Sequence, residues 1–208
     1  MIKIGIAITG VSYGIGRNYK HCFPIMSETL IEAFRKDNDV KIYLTSYKNE
    51  FETDIIDLYK PVLYQFNDFE GSHQVLTYIK AMEQIRNQDL DFVICTRFDI
   101  HFHKKISEIG LDITKFNALF KEKGWWDNMK FTTDNLFAFP YSMLETFITV
   151  LKELYINPSR PGQMDLHQVF HRMQNEVKSE NTKIISNLDE LSNTNSFYSV
   201  CNQKWGVR

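Results

Sequence analysis

The sequence lacks most features that mark secreted, membrane-spanning or disulfide-rich proteins. Its three cysteines, Cys22, Cys95 and Cys201, are widely spaced and form no CxxC pair or zinc-type cluster. Such usage favours reduced thiols in a cytoplasmic protein. No A-x-A-like secretory cleavage site is present, and no apolar run approaches the roughly 20 residues that a membrane helix needs. We therefore expect a soluble cytoplasmic protein with no membrane span.

An excess of either charge sign is also missing. The 208 residues include 24 basic and 26 acidic ones, with a net charge of -2. A nucleic-acid-binding domain usually shows a basic excess, so no nucleic-acid partner is expected. Hydrophobic residues make up 43% of the chain, which is enough for a normal core.

Internal repeats and clear linkers are absent as well, so we expect one domain over residues 1–208. The pattern of the chain changes after residue 103, which divides the domain into residues 1–103 and 104–208. The last residues, Lys204 to Arg208, look cut rather than capped. Further domains of a longer chain are therefore expected as partners.

The first half alternates short apolar runs with amphipathic segments, an order that predicts a mostly parallel sheet flanked by helices. The predicted strands are Lys3 to Thr9, Val40 to Tyr47, Val62 to Phe66 and Asp91 to Arg97. The predicted helices are Phe23 to Phe34, with Pro24 in its first turn, Phe51 to Tyr59 and His73 to Asn87. The fold class is therefore α/β, related to Rossmann folds.

The second half is less regular. Ile106 to Lys130 is expected to be irregular. The remaining predicted elements are strands at Lys130 to Phe139 and Lys183 to Ser186, helices at Tyr141 to Tyr155 and Asp165 to Val177, and a loop or tail at Ser192 to Ser199.

A glycine-rich segment follows the first strand. Thr9 to Gly16 matches the T-G-x-x-x-G-x-G pattern of short-chain dehydrogenases, whose glycines let the backbone approach a pyrophosphate. The family's Tyr-x-x-x-Lys and Asn-Asn-Ala-Gly motifs are both missing. Two other interpretations stay open: a flexible loop, or a loop that lines a different nucleotide pocket together with Arg17.

The apolar run Phe92 to Cys95 predicts a strand buried on both faces, and it ends in Arg97, Asp99 and His101. Ligands of open α/β sheets bind beyond the carboxyl ends of the strands. Residues two apart in an extended chain point the same way, so Asp99 and His101 are expected to reach one cation. A carboxylate about 4 Å from a phosphate oxygen is repelled by roughly 4 kcal/mol at a dielectric of 20, so a diphosphate here implies a metal. A solvated acid and two strand-edge histidines are the plainer alternative.

This stretch resembles the metal-binding strand end of GT-A-fold glycosyltransferases that use nucleotide sugars, which carry Asp-x-Asp at that point. Thr133-Asp134-Asn135-Leu136-Phe137 is similar to a second segment of these enzymes, and Asp165-Leu166-His167-Gln168 falls near their C-terminal metal ligand. His101 departs from the pattern, since it stands where a second Asp is expected.

The resemblance implies a metal-dependent hexosyltransferase of a small viral or bacterial polysaccharide type, which uses a UDP-sugar donor and a glycan or glycoprotein acceptor. It also implies that residues 1–103 form a nucleotide-binding half and residues 104–208 a half that completes the acceptor and metal sites. Its implied metal ligands for Mn²⁺ or Mg²⁺ are Asp99, His101 and His167, and its implied catalytic carboxylates are Asp134 and Asp165. The donor would contact Thr9, Gly10, Arg17, Arg97 and Asp99. Trp125 and Trp126 would stack on acceptor sugar, unless they belong to the core. An NAD(P)-dependent oxidoreductase and a non-catalytic nucleotide- or carbohydrate-binding module are the alternatives.

Overall fold

The alternating segments build an α/β fold around a mostly parallel central sheet flanked by helices, which confirms the α/β class and the predicted sheet. The computed structural model describes residues 1–14, 16–69, 73–122, 127, 130–157, 165–189, 198–202 and 206–207. Within these ranges the central sheet has seven strands: β1 (Lys3–Thr9), β4 (Asp39–Tyr47), β5 (Leu63–Asn67), β6 (Phe92–Arg97), β8 (Phe116–Lys121), β9 (Leu136–Pro140) and β10 (Thr182–Asp189).

The strands are ordered β10-β8-β9-β6-β1-β4-β5 across the sheet. β1 is parallel to both β4 and β6, and β5 is parallel to β4. β9 is antiparallel to both β6 and β8, while β10 is parallel to β8. The chain therefore builds outwards from β1 to β5 and then returns to β6 on the other side of β1, which makes the β1–β6 junction the topological switch point.

Helices cover both faces of the sheet. They are α1 (Tyr19–Met26), α2 (Glu32–Arg35), α3 (Glu52–Tyr59), α4 (Gln74–Ile85), α5 (Leu144–Ile156) and α6 (Val169–Val177). Alternate residues of β1 enter different cores, because Ile6 packs in the core on the α1 and α3 side and Ala7 in the core on the α4, α5 and α6 side. β6 divides likewise at Ile94 and Cys95, which confirms that this strand is buried on both faces.

Two smaller sheets accompany the central sheet in the described residues. β2 (Tyr13–Gly14) and β3 (Arg17–Asn18) form an antiparallel hairpin. β7 (Ile100–Phe102) pairs antiparallel with β11 (Tyr198–Asn202), which pairs in turn with β12 (Gly206–Val207). Two residues of the predicted tail, Tyr198 and Ser199, therefore belong to a strand, while 192–197 lie outside the described residues.

The predicted start of the first helix was wrong by four residues. α1 begins at Tyr19 because Asn18 caps it, accepting a hydrogen bond from the Lys20 amide. Pro24 consequently lies inside the helix, where its missing N–H removes one backbone bond. A π turn, Ser27–Ile31, follows and leads into α2.

The stretch expected to be irregular, Ile106 to Lys130, contains a central strand. β8 covers Phe116–Lys121 and is almost entirely buried. At the opposite edge of the sheet, one side of β5 pairs with no strand among the described residues, and Leu63 and Tyr64 expose large apolar surfaces there, as does the preceding Val62. No helix among the described residues combines the length and apolar character needed to cross a bilayer.

Candidate functional site

A cleft of about 230 Å³ opens at the carboxyl ends of β1 and β6. Thr9 and Gly10 border it where β1 ends, and Arg97 and Asp99 border it where β6 ends. A hydrogen bond from the Phe98 amide to the Thr9 carbonyl (3.0 Å) ties the two ends together. The cleft therefore lies at the topological switch point, where ligands of open α/β sheets bind.

Two arginines hold the Asp99 carboxylate. Arg97 donates through Nε to Oδ1 (2.9 Å) and through Nη2 to Oδ2 (2.8 Å). Arg17, from the β2–β3 hairpin, donates through Nε to Oδ2 (3.0 Å). The Asp99 side chain is only 4% exposed, so these charge-assisted bonds replace its lost hydration.

Arg97 also holds Asp134, the residue that precedes β9. Its Nη1 atom lies 3.2 Å from Oδ1 and 3.1 Å from Oδ2 of Asp134, and it also donates to Oδ1 of Asn135 (3.4 Å). Because β9 runs opposite to β6, the beginning of β9 lies beside the end of β6, at the rim of the cleft. One half-buried guanidinium thus joins two carboxylates that are distant in sequence.

Contacts from α4 fix Asp134 from its other side. Gln74 donates through Nε2 to Oδ2 of Asp134 (2.6 Å), and the Tyr78 hydroxyl donates to the Asp134 carbonyl (2.9 Å). Gln74 is the first residue of α4, after His73, whose Nδ1 caps the helix by accepting from the Val75 amide. The start of α4 therefore forms one wall of the cleft.

These contacts determine the charge state of the site. Burial acts to raise the pKa of the Asp134 carboxyl, but Arg97, His167 and the Gln74 hydrogen bond outweigh it, and the pKa lies below its ordinary value. Burial acts to lower the pKa of Arg97, and the charges of Asp134 and Asp99 outweigh it and raise that pKa. Arg17, Arg97, Asp99 and Asp134 thus form an electrically balanced cluster of two cations and two anions.

A histidine side chain adjoins this cluster. The ring of His167 lies between two carboxylates, with Nδ1 2.6 Å from Oε2 of Glu122 and Nε2 4.0 Å from Oδ1 of Asp134. Backbone hydrogen bonds hold His167 and Glu122 against residues 131 and 132. The Thr132 amide donates to the His167 carbonyl (3.0 Å), and the Glu122 amide donates to the Phe131 carbonyl (3.0 Å). The segment before β9 is therefore held between the end of β8 and the turn that carries His167.

The structure does not bring His101 to this cleft. Phe98 and Asp99 form a turn between β6 and β7, so Asp99 and His101 are not alternate residues of one extended strand, and the expectation that they point the same way was wrong. The His101 ring contacts the backbone of His21 in α1. Burial, together with the nearby rings of His103 and His21, lowers the pKa of His101 despite that backbone contact.

The glycine-rich segment forms the β2–β3 hairpin instead of leading directly into a helix. Gly10 and Gly14 have positive φ angles of 95° and 84°, which glycine adopts without strain. The Ser46 hydroxyl fixes the loop by donating to the Gly10 carbonyl (2.8 Å). α1 starts beyond the hairpin at a residue capped by Asn18, so its amides do not follow the glycines as they do in a dinucleotide-binding turn.

Several predicted residues fall at or beyond the limits of the description. Asp165 begins a 3₁₀ turn, Asp165–Gln168, but its side chain lies outside the described part. Trp125 and Trp126 are also outside the described residues. Among the residues that are described, no group of three or more His, Cys, Asp or Glu side chains has an arrangement suited to a metal ion.

Sequence reasoning missed four side chains at or beside the cleft: Tyr47, Phe69, Gln74 and Glu122. Tyr47 and Phe69 meet edge to face, with their centroids 5.0 Å apart, and Phe69 is 50% exposed. The position of Tyr47 at the end of a predicted strand was an available signal. No sequence pattern pointed to Glu122, because the strand that leads to it was not predicted.

Neither a protein-family model nor a curated protein shows significant similarity to this chain. The geometry of the cleft is therefore the basis for the function proposed below.

Proposed function

We propose that this protein is a glycosyltransferase that moves a sugar from a nucleoside-diphosphate donor, with UDP-sugar as the expected donor, to a glycan or glycoprotein acceptor. The observation that carries the proposal is that Arg17, Arg97 and Asp99 line a cleft at the switch point of an α/β sheet, with Asp134 bonded to Arg97 beside it. Guanidinium groups are well matched to phosphate oxygens, and carboxylates to sugar hydroxyls.

The net reaction forms a bond between the acceptor oxygen and the anomeric carbon and breaks the bond from that carbon to the diphosphate oxygen, while the proton of the acceptor hydroxyl passes to a base. Negative charge then grows on the leaving diphosphate. Arg17 and Arg97 are the described cations that line the cleft, so they are suited to stabilise that charge. Asp99 holds both guanidinium groups in place before the donor arrives.

A divalent cation stays a prediction, and charge balance supports it. The four-residue cluster is neutral, whereas a diphosphate adds negative charge that needs compensation. The predicted ligands for Mn²⁺ or Mg²⁺ are Asp99, His101 and His167, but in the described part of the chain no group of three or more carboxylate, imidazole or thiol side chains has an arrangement suited to a metal ion. When bound, the cation would supply Lewis-acid stabilisation of the leaving group and a template for the donor.

Asp134 is better suited to positioning than to proton abstraction. A general base works best when its pKa lies near the working pH, whereas the pKa of Asp134 is held below its ordinary value. Arg97 and Gln74 also occupy both of its oxygens. We therefore assign Asp134 to the charged framework of the site, and Asp165 remains the other predicted catalytic carboxylate.

A second candidate function is the binding of a neutral carbohydrate without catalysis. The observations that favour it are the balanced charge of the cluster and the exposed ring of Phe69 beside Tyr47 at the cleft. Sugars commonly pair hydroxyl contacts to charged side chains with an aromatic ring against the apolar face of the sugar. The hairpin geometry of the glycine-rich segment makes an NAD(P) site the weaker alternative.

Thermal unfolding with different ligands separates these functions. UDP with Mn²⁺ should raise the melting temperature by mass action, while NADP should not. Stabilisation by NADP but not by UDP would overturn the proposal. Stabilisation by free sugars alone, with no UDP effect, would favour the binding module.

Turnover is tested by measuring UDP release from UDP-sugars. Asp99→Asn keeps the shape of the side chain but removes the charge that holds Arg17 and Arg97, so we expect a large loss of UDP release. Asp89→Asn is the matched control, because Asp89 is an exposed acid paired with Lys3 far from the cleft. Equal activity in the wild type and Asp99→Asn would remove Asp99 from the mechanism.

A further inference from the structure

On the premise of the proposed diphosphate donor, we infer that the cleft binds the phosphate groups of its ligand directly through Arg17 and Arg97, with no divalent cation between phosphate and protein. The cation that the sequence predicts is thereby replaced by two guanidinium groups. The inference follows from how the described side chains use their donors and acceptors, and from which charges face the cleft.

Asp99, the first of the predicted metal ligands, already has both carboxylate oxygens engaged. Oδ1 accepts from Nε of Arg97 (2.9 Å), and Oδ2 accepts from Nη2 of Arg97 (2.8 Å) and from Nε of Arg17 (3.0 Å). A cation bound to either oxygen would share it with a guanidinium, and like charges at such short distances repel each other. Asp99 is therefore suited to hold the two arginines in place and poorly suited to hold a metal ion.

The other two predicted ligands do not converge on Asp99. The ring of His101 contacts the backbone of α1. His167 adjoins Asp134 instead, with Nε2 4.0 Å from Oδ1, and Arg97 already donates to that oxygen. Within the described ranges, the side chains that the sequence assigns to one cation thus lie in separate surroundings.

The charges that line the cleft favour an anion. Its charged lining among the described residues is Arg17, Arg97 and Asp99, whereas Asp134 is bonded to Arg97 beside the cleft and does not line it. The side chains of Arg17 and Arg97 are 24% and 18% exposed, but that of Asp99 is only 4% exposed. A ligand therefore meets more positive than negative charge, although the whole four-residue cluster is neutral. Such a lining attracts phosphate and repels a divalent cation.

Arg97 also keeps a donor for a phosphate oxygen. A guanidinium has five N–H groups. Nε and Nη2 each donate once to Asp99, and the two N–H groups of Nη1 face Asp134 and Asn135. The second N–H of Nη2 has no acceptor in the part of the chain that the structure describes. Because guanidinium geometry matches phosphate oxygens, Arg97 can bind the ligand without releasing either carboxylate.

Isothermal titration calorimetry with pyrophosphate and with UDP, each in EDTA and in Mn²⁺, tests the inference. We expect both ligands to bind in EDTA. Mn²⁺ also binds these ligands in solution, so it should leave the affinity unchanged or lower it. Arg17→Ala should weaken pyrophosphate binding on the order of tenfold or more, because a charge-assisted contact is lost. Arg17→Lys keeps the charge and should retain more of the affinity than Arg17→Ala. Arg35→Ala is the control, since Arg35 is paired with Glu32 and does not line the cleft.

The outcomes separate this inference from the proposed function. Tighter binding of UDP in Mn²⁺ than in EDTA, or unchanged affinity in Arg17→Ala, overturns direct binding by the arginines and leaves a nucleotide site. Binding of pyrophosphate in EDTA without any binding of UDP overturns the nucleotide-sugar donor and leaves the arginine site. Failure of both ligands to bind overturns both. Circular dichroism of each variant establishes that a loss of binding is not a loss of fold.

Discussion

Arg97 and Asp134 lie 37 positions apart in the sequence, yet Nη1 of Arg97 is within 3.1 and 3.2 Å of both carboxylate oxygens of Asp134. Arg97 ends β6 and Asp134 precedes β9, so the contact lies where these two antiparallel strands meet. It joins the middle of the sheet to the segment before β9, so the stability of the fold and the geometry of the cleft depend on the same side chain.

Truncation of Arg97 is therefore expected to be strongly destabilising. Arg97→Ala leaves Asp99 and Asp134 buried without their main cation, a change that costs about 3–5 kcal/mol in comparable buried pairs. Urea unfolding measures the loss. Arg86→Ala is the matched control, because Arg86 makes a two-pronged contact with Glu145 (2.7 and 2.8 Å) on the exposed surface. Equal effects of the two substitutions would contradict a special role for the buried cluster.

The free energy of unfolding at acid pH should depend on Asp134. Its pKa in the folded protein lies below 3.8, the ordinary value, so its ionised form stabilises the fold. This contribution is complete above the unfolded-state pKa and disappears as the pH falls through the folded pKa. Asp134→Asn should therefore lose stability relative to wild type at neutral pH, and the difference should shrink between about pH 5 and pH 2.

Denaturant unfolding across that pH range tests the effect of Asp134. Asp37→Asn, at an exposed position, is the control and should leave the profile unchanged. A difference between wild type and Asp134→Asn that stays constant down to the lowest pH would show that ionisation of Asp134 does not stabilise the fold.

Gly5 in β1 leaves little room for a side chain. A Cβ atom there would lie 2.6 Å from Cδ1 of Leu90 and 3.3 Å from Cε2 of Tyr43. Gly5→Ala is thus expected to cost about 1–3 kcal/mol through overpacking, whereas the same change at an open strand position would be stabilising. Thermal unfolding of Gly5→Ala in the wild-type and Leu90→Ala backgrounds tests the cause. An equal cost in both backgrounds would rule out Leu90 as the obstacle.

Phe69 should contribute to nucleotide affinity if the base stacks at the cleft. Stacking of a base on an aromatic side chain is worth roughly 1–3 kcal/mol, so Phe69→Ala is expected to weaken UDP binding about five- to a hundredfold. Tyr64→Ala is the control, since Tyr64 is similarly exposed, at 53% against 50%, but does not line the cleft. Calorimetry that shows equal affinities for the two variants would exclude stacking on Phe69.

The strands of the first half were predictable because buried parallel strands form continuous apolar runs. β1 has the predicted bounds, and β6 begins one residue later than predicted. β8 was missed because the polar Asn117 interrupts its apolar run. The Asn117 side chain is buried, and its amide donates to three backbone carbonyls, including that of Ala138 (3.0 Å). A hydrogen bond from a buried side chain to a distant strand depends on the tertiary fold, so the local sequence does not predict it.

The candidate site was predictable where the residues lie at the end of a strand or just beyond it. Arg97 and Asp99 fit this rule, because ligands bind beyond strand ends. The alternation of side chains assumed from Asp99 to His101 requires an extended chain, whereas Phe98 and Asp99 form a turn. The sequence therefore did not predict the position of His101. The approach of Glu122 and His167 depends on pairing between elements distant in sequence, which local periodicity does not encode.

The unpaired side of β5 has a consequence for handling the protein. Leu63 to Asn67 carry no charge and no proline, the devices by which natural edge strands avoid joining a neighbouring molecule. Val62 and Tyr64 add exposed apolar surface along the same rim. We therefore expect self-association to grow with concentration through strand addition at this rim. Tyr64→Lys should suppress it in sedimentation experiments while leaving ligand binding intact.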